Sequence, residues 1–340
     1  MKKPTDRFLT WLRIHSRNSM RRRLRTRAKS YSPGRFSRGE IRLRAPARLC
    51  LSTNYDDVLR LINKIVEFVG KTKTYVDFKP ILTVSPDAAL LLAATLDMWQ
   101  RHRNVTLRTR EIEKWSPQVT HIFRNLGLFD LLKTPGLPCV AEASVSQIEI
   151  LKLCSGQRAD GSLAHQLTTS LKGMVSTIEE EPLYVGLTEA MTNSAQHAYT
   201  LPDYGIIPED WKRWWMTGSY DRQIGSLRIL ILDLGNGIPA TLKLSTLWDQ
   251  ISSYLSRLSA PNDADRIDAA VQAGRSSTGN QGRGNGLDEI RKFIEQGPNG
   301  RLRILSGEGE VVYSSGDENP AKFVRALPFP GTLIEWEIRI

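Results

Sequence analysis

Cysteine is almost missing from this chain: Cys50, Cys139 and Cys154 are the only three in 340 residues. Their spacing fits neither a metal-binding C-x-x-C pair nor a disulfide framework, so a reducing cytoplasm is the compartment to expect. Long apolar runs are missing too. No uncharged stretch approaches the roughly 20 residues that a membrane-spanning helix requires, and the N-terminus lacks the uncharged apolar centre of a secretory signal. There is no internal repeat. Two common phosphate-binding signatures also fail. Gly70-Lys71-Thr72 supplies only the second half of a P-loop, with Ile65 where its first glycine belongs. No dinucleotide fingerprint follows a first strand with an acidic residue beyond it.

Acid is nearly absent from the first 48 residues, where Asp6 and Glu40 face 16 Lys and Arg, a net of +14. The other 31 bases meet 34 acids, a net of −3, so the whole surplus of +11 sits in this arm. It is densest at Arg21-Arg22-Arg23-Leu24-Arg25-Thr26-Arg27. Beyond Phe8, Leu9, Trp11, Leu12 and Ile14 it has little to build a core from, so a flexible or only locally helical segment is expected. Arginine outnumbers lysine there, which suits bidentate contact with phosphate. Nucleic acid or another polyanion is therefore the first partner to expect, an acidic protein the second and a targeting role the third. Hydrophobic residues make up 40% of the chain, enough for packed cores. The length suggests about two domains on a prior of roughly 150 residues each.

Four short segments in the second half fall in a fixed order. The first, Glu189-x-x-x-Asn193-x-x-x-His197-Ala198, lies in a helical stretch from Leu183 to Ala198. Leu187, Ala190, Met191, Ser194 and Ala198 recur at spacings of three and four, giving one packing face, while Glu189, Asn193 and His197 share another. A carboxamide oxygen there can ligand a hard cation such as Mg2+, and a carboxylate one turn away can polarise a water. The second segment, Asp233-Leu234-Gly235-Asn236-Gly237-Ile238, follows the apolar strand Leu227 to Leu232. Asp233 falls at its C-terminal edge, and the glycines let backbone turn tightly against a flat base. The third, Gly282-Arg283-Gly284-Asn285-Gly286-Leu287, opens a helix to about Glu295, where glycine-rich amides can cradle phosphate. The fourth is Gly331-Thr332, just before the last strand. A solvated helix face, a hairpin turn and a surface loop are the plain alternatives for the first three taken singly.

Together the segments resemble those of the GHKL (Bergerat-fold) ATPase superfamily over residues 161–340. The resemblance implies that Glu189 is the catalytic carboxylate and Asn193 the Mg2+ ligand. It implies that Asp233, with Gly235, Gly237 and Ile238, reads adenine, and that Gly282, Arg283, Gly284, Asn285, Gly286 and Leu287 close the ATP lid. Thr332 would support Asp233, and His197 would line the cofactor site. His197-Ala198-Tyr199 is most similar to the anti-sigma-factor kinase branch. No H-box helix pair precedes the first segment, and His165 is read as a helix-face residue. The lysine that topoisomerase-type ATPases take from a following domain has no counterpart after the last strand.

Residues 1–40 are read as the basic arm, 41–134 as an α/β domain and 135–160 as a junction interrupted by Pro135-Gly136-Leu137-Pro138. The α/β domain is expected to have strands near Ile41–Arg44, Leu49–Leu51, Thr74–Phe78 and Val105–Arg108. Its helices are expected over Tyr55–Val69, from Ser85-Pro86 to Arg101, and from Ser116-Pro117 through Phe129. It resembles a STAS domain of the anti-anti-sigma type in Tyr75-Val76-Asp77-Phe78, the Ser-x-x-Ala helix start and Asn125-Leu126-Gly127-Leu128-Phe129. Asp87 stands where such domains carry a switch serine, which suggests a fixed docking module. Trp211-Lys212-Arg213-Trp214-Trp215 could stack on bases, but packing within its own domain is the favoured reading. The expected fold is thus α/β (α+β), a STAS-like βαβ domain followed by a Bergerat-fold sandwich. The expected function is an ATP- and Mg2+-dependent regulatory switch with slow hydrolysis. Serine-kinase and non-hydrolysing sensor outputs stay open, as do a protein partner and a homodimer.

Overall fold

The computed structural model describes residues 35–36, 40–68, 74–103, 109–134, 147–176, 178–200, 211–276, 294 and 299–340. The chain divides into two compact units, one of residues 1–146 with 202–211 and one of residues 147–201 with 212–340. Both mix helix and strand. Among the described residues no helix is long and apolar enough to cross a membrane.

The first unit begins with β1 (Arg35–Phe36) and β2 (Glu40–Arg44), paired antiparallel with Arg35 opposite Ile41. β1 thus lies inside the stretch whose charge suggests a flexible arm. After β3 (Arg48–Leu49) comes α1 (Tyr55–Phe68), whose Val58, Leu59, Ile62 and Ile65 recur at helical spacing and fill one face. β4 (Thr74–Asp77) lies parallel to β2, and β5 (Thr83–Val84) parallel to β3. α2 (Pro86–Arg103) is buried from Pro86 through Trp99. Its run from Ala88 to Ala94 is apolar on every side, as a helix inside a core requires. The periodicity from Ser116 predicts one helix through Phe129, but Gly127 at φ 86° ends α3 (Pro117–Leu126) and α4 (Leu128–Leu131) is a separate turn. Phe78, Trp115 and Phe123 meet edge to face beside it. The strand expected over Val105–Arg108 lies outside the described residues.

The second unit runs β6 (Ile148–Ile150), β7 (Cys154–Gly156), α5 (Gly161–Met174), α6 (Glu180–His197), β8 (Trp214–Asp221) and β9 (Ser226–Asp233). It continues with α7 (Ile238–Thr241), α8 (Trp248–Leu255), α9 (Asp263–Ser276), β10 (Arg301–Ser314) and β11 (Ala321–Arg339). Its strands make a six-stranded antiparallel sheet in the order β10–β11–β9–β8–β6, with β7 also on β8. Alternate residues point to one face: Trp214 and Met216 of β8, Ile229 and Ile231 of β9, Leu302 and Ile304 of β10, Ile334 and Trp336 of β11. On that face they pack with Leu167 and Leu171 of α5, Leu187 and Met191 of α6, and Ile267 and Val271 of α9. The residues between them carry ion pairs on the opposite face, Arg303 with Glu335 at 3.0 Å and Arg228 with Glu337 at 3.2 Å. The last strand starts before Gly331-Thr332 rather than after. β10 and β11 stay paired across a bulge between Ser306 and Gly309, so both residues lie inside β11.

Candidate functional site

One row of side chains crosses the helix-covered face of the sheet at its end. Ser306 of β10 stands opposite Thr332 of β11, Thr332 opposite Asp233 of β9, Asp233 opposite Trp214 of β8, and Trp214 opposite Gly156 of β7. Directly opposed residues of antiparallel strands share a face and lie close. The row is closed from above by α6, whose Ser194 hydroxyl donates to Asp233 Oδ2 at 3.3 Å. Gly235 N–H donates to Asp233 Oδ1 at 3.0 Å, and the Thr332 amide bonds the same carboxylate. Asp233 is only 4% exposed. Burial pushes its pKa up to about 7, against the pull of the three hydrogen bonds.

The loop after β9 is held at three points. Asn236 N–H donates to the Ala198 carbonyl at 2.6 Å. Leu234 N–H donates to the Tyr199 hydroxyl at 3.2 Å, and that hydroxyl donates to the Arg213 carbonyl at 2.6 Å. Ile238 N–H, the first of α7, donates to Ser306 Oγ at 2.8 Å. Backbone runs so close to α6 here that a Cβ on Gly235 would stand 2.2 Å from the Ala198 oxygen. Gly237 adopts φ 82°, a left-handed conformation that disfavours side chains. Both glycines of this segment are therefore required by the fold of the loop itself.

Glu189, Asn193 and His197 occupy successive turns of α6 as their spacing predicts. Glu189 and Asn193 are half-buried, and His197 is exposed in the last turn, where partial desolvation holds its imidazole below the ordinary value. Asn193 Nδ2 is buried and has no hydrogen-bond partner among the described residues. The two ends of a carboxamide are interchangeable by a flip of the side chain. Asn193 therefore keeps an unclaimed polar group on the same helix that carries Ser194 onto Asp233. An oxygen ligand for Mg2+ fits such a group, because this ion takes few protein oxygens and keeps water and phosphate as its other ligands. Among the described residues no cluster of three or more His, Cys, Asp or Glu could hold a metal by itself.

Gly282, Arg283, Gly284, Asn285, Gly286 and Leu287 lie outside the described residues. α9, which precedes those lid residues in the chain, has Ala264, Ile267 and Val271 buried in the core. That helix belongs to the body of the unit. Trp214 and Trp215 are wholly buried in β8, as packing requires and base stacking does not. An open cleft of 440 Å3 between α8 and α9 is lined by Asp249, Tyr254, Arg257 and Gln272, none of which belongs to the Asp233 row. Two contributors, Ser194 and Ser306, escape a reading of motifs, and Tyr199 is named by one without its role. Ser194 falls on the packing face of its helix, Tyr199 acts through its hydroxyl on backbone, and Ser306 reaches the row only through strand register. Among the described cysteines, Cys50 and Cys154 are free. No protein-family model matches the chain, and no curated protein matches it.

Proposed function

We propose that the second unit is a nucleotide switch of the GHKL type that binds ATP with Mg2+. The observation that carries this reading is the buried Asp233 at the end of its strand, held by Ser194, Gly235 and Thr332 below a helix that offers Glu189 and Asn193. An ionised carboxylate so placed accepts the exocyclic amino group of adenine. Asn193 would hold Mg2+, which when bound compensates phosphate charge. Glu189, one turn earlier, orients and polarises water for attack on the terminal phosphate, and Gly282, Gly284 and Gly286 offer backbone amides to the phosphates. His197 borders the same helix end.

The preferred output is slow ATP hydrolysis coupled to altered contacts with a protein partner in the cytoplasm. Transfer to a serine of a separate protein and sensing without turnover use the same pocket. The first unit is read as a STAS-like docking module, and the basic N-terminal arm as a polyanion contact. Incubation with γ-labelled ATP, alone and with genomic-neighbour proteins, separates these outputs by phosphate release, protein labelling or neither.

Binding itself is tested by melting. Mg2+-ATP should raise the melting temperature, because a ligand of the native state stabilises it by mass action. Asn193→Ala should remove the Mg2+-dependent part of that rise, and an unchanged curve at millimolar ATP would refute the pocket. Glu189→Gln should keep the rise and lose turnover by about 10²–10⁴-fold. Equal turnover in that variant would place the base elsewhere.

A further inference from the structure

Ser306 has a single hydroxyl proton and three polar neighbours. Its Oγ accepts from Ile238 N–H at 2.8 Å and lies 2.9 Å from the Gly331 carbonyl and 3.1 Å from Thr332 Oγ1. A carbonyl can only accept, so the Ser306 proton goes to Gly331. The contact with Thr332 then has one remaining polarity: Thr332 donates and Ser306 accepts. Ser306 is wholly buried, so no water competes for these bonds. The consequence falls one strand over. With its proton committed to Ser306, Thr332 Oγ1 turns only lone pairs toward anything beside Asp233, and an ionised Asp233 offers only lone pairs as well.

We propose that Ser306 is a specificity-determining residue: by holding the Thr332 proton it makes the base-reading end of the site accept hydrogen bonds only. The proposal rests on the nucleotide reading of the second unit and adds the residue that enforces its preference for an amino group. The site takes a base that presents an amino group at this end and rejects one that presents a carbonyl oxygen there. A purine with an oxo group in place of the amino group would bring its lone pairs against those of Asp233 and Thr332. Sites built on buried polar groups reject a mismatched partner strongly, because the unpaired groups have already lost water.

Ser306 is thereby a positioning residue for Thr332 as well as for the Gly237–Ile238 turn, and the two roles separate experimentally. Loosening the turn weakens every nucleotide alike. Releasing the Thr332 proton lets that hydroxyl rotate and donate to an oxo group, which changes the ratio between ligands. Dissociation constants of the full chain for Mg2+-ATP and for Mg2+-ITP, its oxo counterpart, are measured at pH 8, above the value of about 7 to which burial raises Asp233.

In Ser306→Ala the preference for ATP over ITP should fall about tenfold, the worth of roughly one neutral hydrogen bond. An equal loss for both ligands, or an unchanged ratio, overturns the proposal. Should Ser306→Ala fail to fold, Thr332→Val removes the same hydroxyl at nearly constant shape and should lower the preference by itself. An unchanged ratio in that variant overturns the proposal too. In the Thr332→Val background, Ser306→Ala should change the ratio no further, since the proton it controls is gone. A wild-type protein that binds neither nucleotide refutes the pocket reading itself, and with it this inference. Binding of ATP with no preference over ITP refutes the inference alone.

Discussion

Asp233 is costly to keep charged where it is. Burial raises its pKa from 3.8 to about 7 despite bonds from Gly235, Ser194 and Thr332. A carboxyl whose folded pKa exceeds its unfolded value contributes stability that is fully present below the unfolded value and lost as pH rises through the folded one. Without nucleotide, the protein should therefore lose this contribution as pH climbs toward and past 7. Asp233→Asn cannot ionise, so it should melt higher than the wild type at pH 8, by on the order of a few kcal/mol of stability. The advantage should shrink toward pH 5, and a constant difference across that range would contradict the electrostatic account. The same variant should lose ATP binding, the usual conflict between a poised site and a stable fold. Asp233 is legible as a site residue because a lone acid ends an apolar strand beside two glycines. Ser194 and Ser306 are not, since a serine on a packing face looks like any small core residue until register sets it beside a carboxylate.

Elements differ in how plainly they show themselves. α6 is readable because its apolar residues keep a helical period, and β9 because an unbroken apolar run of β-formers is bounded by Gly225 and Gly235; the structure moves the bounds of each by only a few residues. β8 is hidden, since Trp214, Trp215 and Met216 adjoin two basic residues and the strand is buried on both faces, leaving no alternation to see. β11 is misread at its start because two prolines and Gly331 look like a loop, whereas the bulge against β10 absorbs them. The helix predicted through Phe129 fails at a single residue. Leu126 and Leu128 keep the apolar pattern, but Gly127 takes φ 86° and ends the helix between them. That conformation costs an L-residue about 1–2 kcal/mol. Gly127→Ala should therefore lower unfolding free energy in urea by that amount. A neutral result would mean the turn tolerates another conformation.

At the scale of the whole molecule, charge and fold divide the N-terminus differently. The sequence places 16 bases in residues 1–48, yet Arg35 lies in β1, and Arg42 and Arg44 lie in β2, where Arg42 pairs with the wholly buried Asp77. Arg42 is committed to neutralising a buried carboxylate and is a poor candidate for binding phosphate. Arg44 and Arg48 stay exposed, and residues 1–34 hold a further 11 Lys and Arg against Asp6. The β2 strand also limits how the arm's charge can be tested. Truncation just after Arg48 would remove β2, the middle strand of the β1–β2–β4 sheet, and confuse unfolding with the removal of charge. Replacing Arg21, Arg22, Arg23, Arg25 and Arg27 by Gln in the full chain leaves that sheet intact. If the arm binds phosphates, wild-type binding to DNA or RNA should weaken steeply with salt. The substitutions should then flatten the slope of log K against log salt by up to about 4.5, near 0.9 for each of five phosphates no longer neutralised. The ATP-dependent rise in melting temperature should be unaffected. An unchanged slope would move the polyanion site into the folded units. No binding by either protein would leave an acidic protein or a lipid surface as the arm's partner, which co-purification and liposome flotation tell apart.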